Sequence, residues 1–257
     1  MVTGKSAPLL TPLLTVVLAV QLAHSAAITS RNVTTIPPYL KVCHRSDSRL
    51  QECLKNSINN VLRNIKNGST ELGLKSLDPL DVPFLEMTQD NGNATIHIEF
   101  KNVRFEGLSN TNVTSVKANI EEHKLEITSR LPYLDIMGNF NAEGGVLSFP
   151  ISAQGVFHVN TTDVIVVLIV YYVPSNLYLA VERLTIDLIP SGITYDFDKY
   201  LDGDNKLGEA MNVFLNENSH EVFSAMKPQI VDMFSQVMTD VSDKVLHNFP
   251  ADILLPE

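Results

Sequence analysis

Residue types that could carry chemistry are present in this chain, but their spacing assembles no familiar constellation. His44, His97, His123, His158, His220 and His247 are scattered, with no His-Glu-X-X-His pair to hold zinc on one helix face. No Gly-X-Ser-X-Gly places a serine on a nucleophile elbow. No glycine-rich loop is set to cradle phosphate. Asp202-Gly-Asp204-Asn205 begins like a calcium loop, but Lys206 and Val213 stand where oxygen ligands are needed, so the pattern fails. The expectation is therefore no catalytic residue, no metal and no cofactor, with the histidines on the surface.

Two side-chain chemistries do stand out. Cys43 and Cys53 are the only cysteines, an even and closely spaced pair that reads as a disulfide tying the N-terminal arm to the first helix. Zinc would need more ligands, and a redox pair would be Cys-X-X-Cys. Asn-X-Ser/Thr occurs at Asn32, Asn67, Asn93, Asn112 and Asn160, never with Pro in the middle, marking acceptors for N-linked glycan and hence exposed surface. Both features belong to an oxidising compartment, and the N-terminus agrees. An apolar stretch from Leu9 to Val20 follows Lys5, and small residues from Ala23 to Ala27 suit a signal-peptidase cut after Ser25 or Ala27. The rival reading, a membrane anchor, requires about 20 consecutive apolar residues, and Pro12 and Gln21 bracket far fewer. Residues 1–25 are read as a secretory signal and residues 28–257 as one domain, secreted and monomeric.

The formal charge of −10, with no cluster of Lys or Arg, repels phosphate backbones and anionic lipid alike. Nucleic acid and stable membrane insertion are accordingly not expected. At 44% hydrophobic residues the chain can build a sizeable core.

Periodicity places the elements. Leu50, Cys53, Leu54, Ser57, Ile58, Val61, Leu62 and Ile65 form one helical stripe within 48–67. Leu72 to Met87, with Pro79 and Pro83, reads as an extended connection. From Ala94 the period becomes two, and strands are predicted near 94–101, 113–120, 125–140, 146–159, 163–173, 177–189 and 193–197, with a turn at 141–145. The apolar parity slips near Glu182 and Arg183, which predicts a β-bulge. A final helical pattern begins at Asp202 or Asp204 and persists to Val245, with a kink or break expected at Pro228. Methionines and phenylalanines along it suit either a core or an adaptable ligand lining.

Several stretches resemble the takeout and juvenile-hormone-binding family of insects. They are the Cys43/Cys53 pair, residues 72–80 (LGLKSLDPL), Gly138-Asn-Phe140 with residues 145–151 (GVLSFPI), and above all residues 197–207 (FDKYLDGDNKL) with 212–218 (NVFLNEN) and Lys227-Pro228. The resemblance implies an α+β fold in which a strongly curved antiparallel sheet wraps around a long C-terminal helix and encloses an elongated apolar cavity. It implies a carrier of a small hydrophobic ligand such as a terpenoid or fatty acid, in haemolymph or another extracellular fluid. Ser219 replaces an aromatic common in relatives, and no cysteine remains for a second disulfide, which places the chain nearer the takeout-like branch. An extracellular signalling protein with a structural lipid is the alternative, and an ester hydrolase is less favoured. Candidates for the cavity wall are Phe100, Tyr133, Phe140, Phe149, Phe157, Phe214 and Met233, with Tyr133 offering a hydroxyl to orient a polar ligand end. Ordinary core packing is the alternative for each.

Overall fold

A computed structural model describes residues 36–90, 94–146, 149–197 and 205–257 of the chain, without the side chains of 89, 94, 146, 149–151 and 205–207. The signal segment, Asn32, Asn93, the Phe149 side chain and the cap at Asp202 or Asp204 lie outside the described residues. Helix α1 (Leu50–Asn64) precedes strands β1 (Leu80–Asp90) and β2 (Ala94–Glu106), a 3-10 turn (Leu108–Asn110), β3 (Asn112–Asn119), β4 (Lys124–Val146), β5 (Phe149–Ser175) and β6 (Tyr178–Phe197). Helices α2 (Asn205–Glu217), α3 (Ser219–Asn248) and the short α4 (Ala251–Leu254) complete the chain. The strands form one antiparallel sheet in the order β1-β2-β4-β5-β6, with β3 pairing the first part of β4. The sheet is open and curved, and the fold is α+β.

Strands of this length must bend to wrap a core. β4 has 23 residues, roughly 75 Å of chain at strand rise. Its Pro132 lies opposite Asp163 of β5, which in turn lies opposite Ser191 of β6, and none of the three has a register partner. Asp163 has φ 49°, a left-handed conformation rare for a residue with a side chain. Its carbonyl accepts from Ser191 Oγ at 3.0 Å and its carboxylate is gripped by Arg130. Across this line the inward parity flips on all three strands, from Ser129 and Leu131 to Leu134 and Ile136 on β4. On β2, Asn102 and Val103 together face Gly138, a bulge with Asn102 at φ 53°. A Cβ on Gly138 would lie 3.0 Å from the Phe157 ring and 3.2 Å from Val103 Cα, so the close approach favours glycine there. On β6, Glu182 is the extra residue where the register shifts, at the position where the apolar parity slips.

Three sequence expectations change. Residues 80–90 form an edge strand rather than a connection, and an edge tolerates Pro83 because its missing N–H is not needed for pairing. Residues 141–145 are strand, paired to both β2 and β5, although Asn-Ala-Glu-Gly-Gly has turn composition. A Cβ on Gly144 would stand 2.1 Å from the Thr95 carbonyl oxygen, so glycine serves interstrand approach rather than reversal. The C-terminal helix breaks at Asn218 (φ −116°, ψ 30°), and Pro228 lies inside the continuous α3. Pro228 and Ser224 are both exposed, so the Ser224 carbonyl that loses its helical N–H partner lies on the solvent side.

The disulfide Cys43–Cys53 is formed and buried, joining the arm to α1. It centres an apolar cluster with Leu50, Tyr172, Leu179 and Leu255. A neighbouring cluster holds Leu40, Ile65, Leu72 and the fully buried Phe249. The arm also meets the C-terminus directly, through Arg45 N to Pro256 O at 2.8 Å and Arg45 Nε to Leu255 O at 2.6 Å.

Helices dock on strand edges through side-chain amides. Asn216 of α2 accepts from Tyr195 N (2.9 Å) and donates to Tyr195 O (2.7 Å). Asn212 does the same with Phe197 N (2.9 Å) and O (2.7 Å). Four residues of helix rise about 6.0 Å, and two residues of strand about 6.7 Å, so an i, i+4 asparagine pair matches alternate residues of β6. On α1, Asn59 pairs with both backbone groups of Val113 on β3, at 2.8 and 3.0 Å. These amides take the place of a further strand. Replacing Asn216 by Ala strands both backbone groups of buried Tyr195 and should cost about 2 kcal/mol. Asn212→Ala, beside half-buried Phe197, should cost less; urea unfolding midpoints of the two variants check that order.

Candidate functional site

Between the concave face of the sheet, α1 and α3 lies a cavity of about 330 Å³, near the lower end of the ~300–1,000 Å³ usual for small-molecule pockets. Each element contributes by its own periodicity. β4 gives Ile127, Ser129 and Leu131 before the parity flip, then Leu134 and Ile136; β5 gives Phe157, Val159 and Thr161, then Val164, Val166 and Leu168. β6 follows suit with Ile186, Leu188 and Pro190, then Ile193, Tyr195 and Phe197. The flips keep the apolar set facing inward around the bend. From α3 come Phe223, Met226, Gln229, Ile230, Met233, Phe234 and Met238, spanning about 22 Å of helix axis. The cavity is elongated because this lining helix is long. Its inward side chains are half-buried, since they face the cavity rather than a filled core.

Among the described residues the wall carries no Lys, Arg, Asp or His, and its one carboxylate there, Glu86 on β1, is exposed. Three of its hydroxyls donate to backbone: Thr111 to Leu108 O (2.7 Å), Thr161 to Leu134 O (3.4 Å) and Tyr195 to Ser219 O (3.4 Å). Burial pushes the Tyr195 phenol up to about 12, so it stays neutral. In surroundings this apolar an ionised ligand would lose its hydration without gaining a counter-charge. The site suits a neutral molecule.

Of the residues singled out from sequence, the structure brings Phe100, Phe157 and Met233 together on the wall. Phe140 is buried just behind it, its ring 5.0 Å from that of Phe197, which itself lines the cavity. Two need correction. Tyr133 is 41% exposed and outside the cavity, because the flip at Pro132 turns it outward; its hydroxyl accepts from Asn110 Nδ2 at 3.2 Å. Phe214 is 56% exposed on α2, which docks on β6 through asparagines and leaves that face to solvent. Residues missed from sequence include Gln229 and Phe105, whose ring meets that of Phe234 at 5.6 Å. Gln229 had a readable signal: a polar residue three after Met226 and four before Met233, on the apolar stripe. Among the described residues no group of His, Cys, Asp or Glu could hold a metal ion, and no helix is long and apolar enough to cross a membrane.

The end of the cavity near Leu77, Leu108 and Thr111 is organised by a buried carboxylate. Asp78 accepts from Gly107 N at 3.0 Å, Ser109 N at 3.1 Å and Ser109 Oγ at 2.5 Å. Gly107 is suited to this turn: its φ is 109°, and a Cβ would lie 2.6 Å from the Tyr133 carbonyl oxygen.

The family model described as haemolymph juvenile hormone binding protein matches residues 14–256. The chain belongs to that family. Among solved structures it is similar to Takeout 1 of Epiphyas postvittana, at TM-score 0.72 and 17% identity, covering 84% of this chain and all of that one. At that identity the likeness shows the fold alone. A lipopolysaccharide binding protein follows at TM-score 0.34 and 11% identity, covering 63% of this chain and 34% of that one, too distant to carry an argument. No curated protein sequence matches.

Two outcomes follow from this geometry. Burial raises the Asp78 pKa, but the hydrogen bonds from Ser109 and Gly107, aided by Lys66, outweigh it and hold the carboxyl below its ordinary 3.8. Its stabilisation is therefore complete above about pH 4 and is lost as pH falls through the depressed folded value. Asp78→Asn should lower stability by about 2 kcal/mol at pH 7 and flatten the acid limb of a urea-midpoint-against-pH curve. Val164→Phe should fill part of the cavity at less than the ~1–3 kcal/mol of overpacking a closed core, while weakening an apolar fluorescent probe at least tenfold. Calorimetry and probe titration of the same sample measure both.

Proposed function

We propose that the protein is a secreted carrier that takes one small, neutral, hydrophobic molecule into this cavity. The observation that carries the reading is the wall itself: apolar side chains from every layer of the fold converge on a bounded, elongated space whose only carboxylate among the described residues is exposed. Moving a ligand from water into it gains about 25 cal/mol per Å² of apolar surface, offset by the cost of immobilising it, and affinity in the micromolar range or tighter follows. Membership of the juvenile hormone binding family supports the same reading. A terpenoid or an uncharged acyl derivative fits the neutral wall better than a fatty-acid anion, unless the anion's carboxylate stays at the mouth. Juvenile hormone is one candidate among these.

Carriage rather than ester hydrolysis is favoured because, among the described residues, the wall that holds the serine and threonine hydroxyls includes no histidine that could act as a base. The Cys43–Cys53 disulfide supports an oxidising, extracellular setting, consistent with a signal peptide over 1–25 and with a soluble monomer. Asn67 and Asn112 are exposed and are the favoured glycan acceptors. Asn160 Nδ2 already donates to Asp135 Oδ1 at 2.6 Å and is the less accessible site.

Native mass spectrometry of the protein secreted by eukaryotic cells, with and without enzymatic deglycosylation, tests this. The expected result is glycan mass on one polypeptide carrying one extractable neutral lipid that exchanges with added terpenoid. A lipid that never exchanges would favour a structural role and a signalling protein. An empty protein that binds none of a terpenoid and acyl panel would overturn the carrier.

A further inference from the structure

Among the described residues four hydroxyls stand on the cavity wall, and one of them does nothing for the fold. Thr111, Thr161 and Tyr195 each donate to a backbone carbonyl, whereas Ser129 Oγ has no hydrogen-bond partner among the described residues. Its state differs from that of Gln229 Oε1, which is both unpartnered and sealed. Ser129 is 7% exposed, and its oxygen keeps open surface. That surface belongs to the cavity: Ser129 shares the inward parity of Ile127 and Leu131, which line the space with it, while Arg130 lies exposed on the other face. A serine oxygen stands one bond beyond Cβ, so a serine on the wall brings its hydroxyl with it. Its neighbours offer no acceptor. Val113 of β3 and Val166 of β5 lie opposite it on either side, and α1, tied to Val113 by Asn59, brings Ile58 and Leu62 to the same wall.

We propose that Ser129 Oγ is the polar anchor of the cavity: its uncommitted O–H donates to an oxygen acceptor on an otherwise apolar, neutral ligand and holds that oxygen at the α1 end. A carbonyl is the simplest such group. The inference rests on the carrier reading and adds to it where the ligand's polar atom sits. A hydroxyl turns about its Cβ–Oγ bond, so the Ser129 proton can follow an acceptor, while the protons of the other three wall hydroxyls are already directed at carbonyls. An O–H isolated among apolar side chains costs stability until an acceptor meets it. A ligand oxygen buried among those side chains likewise loses its hydration without return. Both deficits are removed by one contact, so the polar end is drawn to Ser129 and the chain fills the apolar length along α3. A serine that served only to leave room for α1 would be replaceable by alanine without effect on which ligand binds.

The test uses methyl undecyl ketone and the alkene in which a methylene group replaces its carbonyl oxygen, two molecules of one shape, each displacing a fluorescent apolar probe from the full mature protein. The ketone is the better hydrated in water, so the quantity read is the ketone-to-alkene affinity ratio in the variant against that in wild type. In Ser129→Ala the ratio should fall about fivefold, with alkene affinity nearly unchanged. A ratio that the substitution leaves unchanged overturns the anchor and leaves the carrier standing. Should the variant not fold, the infrared carbonyl stretch of the ketone bound to wild type decides alone. It should lie below its frequency in hexane, as a hydrogen-bonded carbonyl does, and the hexane frequency would sink the proposal. Neither compound binding removes carrier and anchor together.

Discussion

A sheet with two free edges can enclose a void only if something holds both edges, and here a single helix does so. β1 and β6 are the outer strands of the path β1-β2-β4-β5-β6. α3 reaches β1 through Gln229 and Thr88, and reaches β6 through Asp243 accepting from Val181 N at 2.8 Å and Lys227 paired to Asp187 at 2.5 Å. Gln229 and Lys227 stand about 160° apart around the helix, and the apolar stripe falls in the arc between them, pointing into the space. The cavity is the consequence of that geometry.

The sheet must meet the helix halfway, and it does so by breaking its own regularity at matched positions. An isolated parity flip in one strand would turn half its apolar residues to solvent. Here Pro132, Asp163 and Ser191 flip three neighbouring strands together, so adjacent inward residues remain adjacent on both sides of the bend. The left-handed Asp163 carries backbone strain, and its contacts with Arg130 and Ser191 hold it in place. Curvature is therefore written into a few polar and cyclic residues, while the apolar residues merely follow them.

That division explains what could be read from the chain and what could not. Alternation found most of the strands, the 3.6 period found α1 and the C-terminal helix, and an even, closely spaced pair of cysteines was enough for the disulfide. The parity slip at Glu182 was readable because apolar residues flank it on both sides. The flip at Pro132 was not, since Leu131-Pro-Tyr133-Leu134 is equally compatible with either phase, and Tyr133 was accordingly assigned inward. Asn-Ala-Glu-Gly-Gly at 141–145 looks like a reversal because glycine serves both turns and close backbone approach, and only the neighbouring strand tells them apart. Pro228 looked like a break because a proline's cost depends on whether the carbonyl it orphans is exposed. Phe214 was taken for lining because helical spacing shows a stripe but not which partner covers it, and α2 is held by asparagines instead.

An apolar tunnel lined by methionine and phenylalanine is good at accepting and poor at choosing. A methylene more or less changes affinity by about 1–3 kcal/mol in such surroundings, whereas a buried polar group left without its partner penalises the wrong ligand far more heavily. A wall with no hydrogen-bonding demand would therefore sort molecules by length and little else. The one amide among the described wall residues, Gln229, is spent on tying α3 to the edge of β1.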